Sequence, residues 1–270
     1  MTTQLTEKQV EEVFELMKGS NTVELKVTVP DSDIRSTARV LGLDPLEAQV
    51  RQVVFFDTPD LTLSQAGVVV RARRIQGGAG DTVVKLRPVN PDDLSLEVRR
   101  AVTVKVEVDA MPKGFVCSAS MRGTASADDV RRVILGEDKI KNLFSKEQRE
   151  FYRSRAPEGL KLSDLAILGP ILILKLVFEP EGLARKFVAE LWLYPDGSRI
   201  LELSTKCTPA NAFQVAAESR HFLAQNHIDL TAEQQPKTTK ALQYFSSLQR
   251  ISRDDNPAES AGDIPPSVPG

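Results

Sequence analysis

The feature that most constrains this chain is a set of strand-like segments in which every second residue tends to be ionic. In Thr22-Val23-Glu24-Leu25-Lys26-Val27-Thr28-Val29, polar and apolar residues alternate strictly, the period of a strand with two unlike faces. The period recurs in Gly67–Arg74, with Arg71 and Arg73 on one face, and in Thr82–Arg87, with Lys85 and Arg87 together. Further strands are predicted over Gln49–Phe56 and over Leu172–Phe178, whose single charge is Lys175. Phe187–Tyr194 and Arg199–Lys206 flank Pro195-Asp196-Gly197-Ser198, a turn sequence, and read as a hairpin. Glu190 is the only charge on its first strand; Glu202, Ser204 and Lys206 share a face of the second. Leu96–Val108 reads as another strand or pair of strands, with Lys105, Glu107 and Asp109 on one side and valines on the other.

Helices are expected over residues 6–18, where Thr6 and Gln9 form a capping box, and from Asp31 or Ser32 to Leu41. Others are expected over 127–135 and 145–155, after Thr208-Pro209, and over 237–248. No internal repeat or linker divides the sequence, so one domain over residues 1–250 is expected. Residues 251–270 hold Pro, Ser, Asp and Gly without an apolar period, the composition of a disordered tail.

Ionic residues on this many strand faces ask for an explanation, because a solvated sheet face more often carries short polar side chains. The reading adopted here inverts the sheet. The apolar faces point outward beneath the helices, and the charged faces converge on a shared hollow. Unpaired buried charges carry penalties of several kcal/mol each, which a water-filled tunnel large enough for an anion largely removes. Arg and Lys give charge-assisted hydrogen bonds to phosphate oxygens, and carboxylates suit hard cations such as Mg²⁺ or Mn²⁺. The fold expected is therefore α+β: an eight-stranded antiparallel closed β-barrel with peripheral helices.

Composition narrows the alternatives. The net charge is −2, so no global basic field draws nucleic acid or an anionic membrane. The two cysteines, Cys117 and Cys207, lack metal-ligand spacing, and His221 and His227 read as structural. The N-terminal residues are polar and acidic rather than signal-like. The longest apolar stretch, Leu165–Leu174, is broken by Gly169 and Pro170 and is too short to span a bilayer. These features predict a cytoplasmic protein.

The segment Phe55-Phe56-Asp57-Thr58-Pro59-Asp60-Leu61-Thr62-Leu63, followed by Gly67 and Val70-Arg71-Ala72-Arg73-Arg74, resembles the CYTH superfamily, the triphosphate tunnel metalloenzymes. Thr22-Val23-Glu24-Leu25-Lys26 is similar to that family's opening Glu-x-Glu-x-Lys strand, and Val83–Arg87 to its basic fourth strand. The resemblance covers about residues 20–207, with an unusual middle between about 110 and 170. It implies an eight-stranded tunnel and metal-dependent hydrolysis of a small triphosphate: inorganic triphosphate, thiamine triphosphate or a nucleoside triphosphate. Carried over by position, it implies Glu24 and Lys26 as catalytic residues. Lys26, Arg71, Arg73, Lys85, Arg87 and Lys175 would grip phosphate oxygens, and Glu24, Glu190 and Glu202 would hold Mg²⁺ or Mn²⁺. Thr22 and Ser204 stand where the pattern has carboxylates, which keeps a non-hydrolytic triphosphate- or nucleotide-binding module open as the alternative. Adenylate cyclase is a further one. Monomer and homodimer are equally compatible with the sequence.

Overall fold

The computed structural model describes residues 7–112, 114–230 and 236–254. Its centre is a closed barrel of nine strands: β1 (Thr22–Val29), β2 (Gln49–Asp57), β3 (Val68–Ile75), β4 (Gly80–Leu86), β5 (Val104–Met111), β6 (Gly114–Ala125), β7 (Ala166–Phe178), β8 (Phe187–Leu193) and β9 (Arg199–Cys207). The order around the barrel is β1-β5-β6-β4-β3-β2-β7-β8-β9.

The closed barrel follows the period-2 patterning; the strand count and the all-antiparallel pairing need correction. The ninth strand is β6, hidden in the sequence by a run of small residues. An odd ring cannot alternate direction throughout, so one neighbouring pair must be parallel. That pair is β1 and β5, aligned with Thr22 opposite Glu107 and Glu24 opposite Asp109. β1 meets β9 antiparallel on its other side, with Lys26 opposite Ser204 and Thr28 opposite Glu202. Within Leu96–Val108, the first part is a short helix, Leu96–Arg100, capped by the Ser95 side chain, and β5 begins only at Val104. β7 begins six residues before its expected start, at Ala166.

Among the described residues, eight α-helical segments surround the barrel: α1 (Glu7–Lys18), α2 (Ile34–Val40), α3 (Thr62–Gln65), α4 (Leu96–Arg100), α5 (Ala127–Ile134), α6 (Lys146–Arg153), α7 (Ala212–Gln225) and α8 (Lys237–Asp254). The capping box of Ser145 and Gln148 opens α6 as the sequence predicts; that of Thr6 and Gln9 lies outside the described residues. α8 extends beyond Leu248, to Asp254, and the rest of the expected tail lies outside the described residues.

The helices explain the direction of the strand faces. Val130 and Val133 of α5 and Phe151 and Tyr152 of α6 pack with the outward Val68, Val70, Val84 and Leu86. Ile34 of α2 and Leu223 of α7 pack with the outward Val27, Val29, Leu201 and Leu203. Each such fully buried aliphatic side chain is worth about 1.5–3 kcal/mol, so the alternation fixes which face turns in. Among the described residues, no helix is long and apolar enough to cross a membrane.

Candidate functional site

The inward faces enclose a cavity of about 820 Å³. All nine side chains singled out for the site line it: Glu24, Lys26, Arg71, Arg73, Lys85, Arg87, Lys175, Glu190 and Glu202. So do five ionic residues not singled out, namely Arg51, Asp81, Glu107, Arg122 and Lys206, and the first turn of α8 adds Lys237. Asp109, fully buried, lies in the wall beneath Lys26, Lys85 and Arg87. Ten cationic side chains thus face six carboxylates, an excess of four positive charges rather than a balanced lining.

The charges are sorted along the tunnel. On the side of β1, β5 and β9, Lys26 lies 3.0 Å from Glu24 and 2.9 Å from Asp109. Lys206 bonds Glu107 and lies 3.3 Å from Glu24, and Arg87 donates to Asp109 at 2.8 Å. Burial opposes the charge on Glu24, but Lys26 and Lys206 outweigh it and hold its pKa far below the ordinary carboxylate value. Burial likewise opposes the charge on Lys26, and Glu24, Asp109 and Glu202 overturn that and push its pKa far upward. This half is internally neutralised.

The side of β2, β3, β6 and β7 is not. Arg73 is held by Asp81, with its Nε at 2.7 Å, and Arg51 bonds only the neutral Gln49 side chain. Among the described residues, Arg71, Arg122 and Lys175 take part in no salt bridge, and the buried Nε of Arg71 has no hydrogen-bond partner. Burial, then Arg73, pushes the Arg71 pKa down to about 10. Burial, then Arg51, lowers that of Lys175. Lys85, between the two halves, falls to about 8: its burial and the nearby Lys26, Arg87 and Arg71 outweigh Asp109. Arg71 and Lys175 are thus lowered where no carboxylate stands within salt-bridge distance.

The motif around Asp57 serves this geometry from outside the cavity. Its buried carboxylate accepts from the backbone N–H groups of Thr58, Leu63 and Ser64 at 2.7, 2.9 and 3.0 Å. It thereby fixes α3 and the turn into Gly67, whose φ of +75° suits glycine. A Cβ there would stand 2.7 Å from the Arg87 carbonyl. The motif sets where β3 starts, and hence where Arg71 and Arg73 point.

The carboxylates assigned to a divalent ion fall into two places. Glu190 and Glu202 are directly opposite on β8 and β9, a like-charge pair that is unfavourable alone. Lys237 resolves it by bonding Glu190 and approaching Glu202 at 2.7 Å. Burial opposes the charge on Glu190, but Lys237 outweighs it and pushes the pKa down to about 2. Glu24 is elsewhere: among the described residues it converges with Glu107 and Asp109, one oxygen of each lying within 4.8 Å of the others. β5 supplies two of these, and Glu107 accepts from the Thr22 hydroxyl at 3.1 Å. It thus brings a carboxylate beside the position that lacks one. Lys237 lies between Glu190 and Glu202, and Lys26, Lys206 and Arg87 lie against Glu24, Glu107 and Asp109, so an ion at either place would sit beside a side-chain cation.

No protein-family model and no curated protein matches this sequence. Solved structures do match. A Hippeastrum protein, HpAC1, described as a candidate adenylyl cyclase with a dominant triphosphatase activity, superposes with a TM-score of 0.57 at 15% identity, over 80% of this chain and 92% of its own. A candidate adenylate cyclase from Bacillus halodurans gives 0.56 at 14% identity, over 82% of this chain and 97% of its own. At such identities the likeness is one of fold alone, the closed barrel with its peripheral helices.

Proposed function

We propose that this chain captures linear triphosphates in its tunnel, free or as the end of a nucleotide, and hydrolyses the terminal phosphoanhydride. The observation that carries this reading is the set of lining cations, Arg71, Arg122 and Lys175, that form no salt bridge among the described residues. The excess of four positive charges also suits the ligand. A linear triphosphate carries about four to five negative charges at neutral pH, because its terminal groups titrate near pH 6. The fold shared with HpAC1 agrees with the reading.

In the reaction, a water oxygen bonds to the terminal phosphorus and the bridging P–O bond breaks; orthophosphate forms, pyrophosphate (or, from a nucleotide, the nucleoside diphosphate) leaves, and the water's proton passes to the leaving oxygen or to solvent. The chain contributes charge neutralisation and alignment. Arg71, Arg73, Lys85, Arg87 and Lys175 bind the phosphate oxygens, and Lys26 holds Glu24 in place at the paired end. Glu24, with so depressed a pKa, is a poor general base, since an effective base has a pKa near the working pH. Rate enhancement therefore rests on the guanidinium and ammonium groups.

Calorimetric titration with tripolyphosphate and an assay for released phosphate test this. Arg71→Met should weaken binding by about 10- to 100-fold, the worth of a charge-assisted bond. It should also raise the melting temperature, because an unpaired buried charge is removed. Absence of both heat and phosphate release in the wild type would refute the proposal. Binding without release would favour the second reading, a non-hydrolytic module, for which Thr22 and Ser204 speak. Cyclic AMP formed from ATP would favour the cyclase.

A further inference from the structure

The first turn of α8 places an ammonium group where the β8–β9 hairpin presents two carboxylates. Lys237 Nζ bonds Glu190, lies 2.7 Å from Glu202, and sits 5.0 Å from the centroid of the Trp192 ring. Its backbone is fixed as well, for its carbonyl accepts from the Tyr194 hydroxyl at 2.9 Å. Leu242, one turn further on, packs with the inward-facing Val53, Ile173 and Trp192. The lysine is therefore seated by the helix rather than reaching in from solvent, and its side chain is only 15% exposed.

Two carboxylates directly opposite on neighbouring strands need a cation between them. We propose that Lys237 is that cation, built into the chain, and that triphosphate capture in this tunnel requires no divalent ion at Glu190 and Glu202. This rests on the triphosphate reading above for its ligand, but not for the assignment of Lys237. A tethered ammonium brings one positive charge where a metal would bring two, and the unpaired Arg71, Arg122 and Lys175 leave the tunnel cationic enough to hold the anion alone.

The test uses Mn²⁺ alone as the first probe, followed by electron paramagnetic resonance on the full chain. Wild-type protein should show no saturable site at millimolar Mn²⁺. Lys237→Gln should create one, and adding Glu190→Gln and Glu202→Gln should remove it again; Lys237→Arg should keep Mn²⁺ out. In a second arm, tripolyphosphate is titrated calorimetrically. Wild type should bind it in EDTA, whereas Lys237→Gln should bind roughly tenfold more weakly in EDTA and recover with Mn²⁺. A wild-type Mn²⁺ site that Glu190→Gln abolishes would overturn the proposal, and so would tripolyphosphate binding that appears only with Mn²⁺. The second result uses folded wild type alone, so it stands even where a variant fails to fold, and it leaves triphosphate capture intact. Wild type that refuses both Mn²⁺ and tripolyphosphate would refute triphosphate capture and uphold Lys237 as counter-cation.

Discussion

At the scale of single residues, the tunnel balances charges that are satisfied against charges held in waiting. Lys85 stands at the border and should make the tunnel pH-sensitive. Its pKa in the folded chain, about 8, lies below its ordinary value of 10.5. As pH rises, the folded chain gives up this proton before the unfolded chain does. Stability contributed by this group therefore increases between those two values, while anion affinity, which needs the ammonium, declines through about pH 8. Tripolyphosphate titrations across this range should show the decline in wild type and a flat profile in Lys85→Arg, whose guanidinium stays charged. A decline of equal size in both would assign the effect to another group. Residue identity made much of this legible. Arg71, Arg73, Lys85 and Glu190 announce themselves as ions on alternating strand positions. Lys237 does not, because its partners come from a hairpin distant in sequence and nothing local in Pro236-Lys237-Thr238-Thr239 marks it.

At the scale of elements, strands with a strong two-residue period were readable and those without it were not. β6 runs through Cys117-Ser118-Ala119-Ser120, side chains too small and too alike to separate an inner face from an outer one. Its place in the ring, between β5 and β4, is set by pairing alone. Leu96–Arg100 looks like the start of a strand because Leu96 and Val98 alternate with ions, yet Ser95 caps it into a helical turn. Asp81 follows the glycine-rich Gly77-Gly78-Ala79-Gly80, yet it pairs within β4 against Arg73. The opposite case is Asp57, whose motif is conspicuous although its carboxylate serves the backbone. Asp57→Ala would leave three amide donors without their acceptor. At about 1 kcal/mol or more each, the loss should be about 3 kcal/mol by denaturant unfolding. Affinity for tripolyphosphate should fall as well, because β3 loses its fixed starting point. An unchanged unfolding midpoint would show that the turn holds without its carboxylate.

At the scale of the whole molecule, the −2 charge of the sequence conceals a division. An excess of four positive charges lies inside the barrel, so the remainder of the chain is six charges negative. The net charge of the whole chain therefore says little about the field inside its tunnel. The parallel meeting of β1 and β5 has a different kind of consequence. β1 bonds to no strand adjacent to it in sequence; its neighbours begin at Val104 and Arg199. β2, β3 and β4, by contrast, form consecutive antiparallel pairs. Closing long loops is slow and entropically unfavourable. Pulse-labelled hydrogen exchange during refolding should therefore find the amides of β2–β4 protected before those of β1, and simultaneous protection would refute this order. On the ribosome β1 thus waits for partners made well after itself. Until Arg199–Cys207 has emerged, the ring cannot close, and the nascent chain is an open trough in which one edge of β1 has no strand beside it.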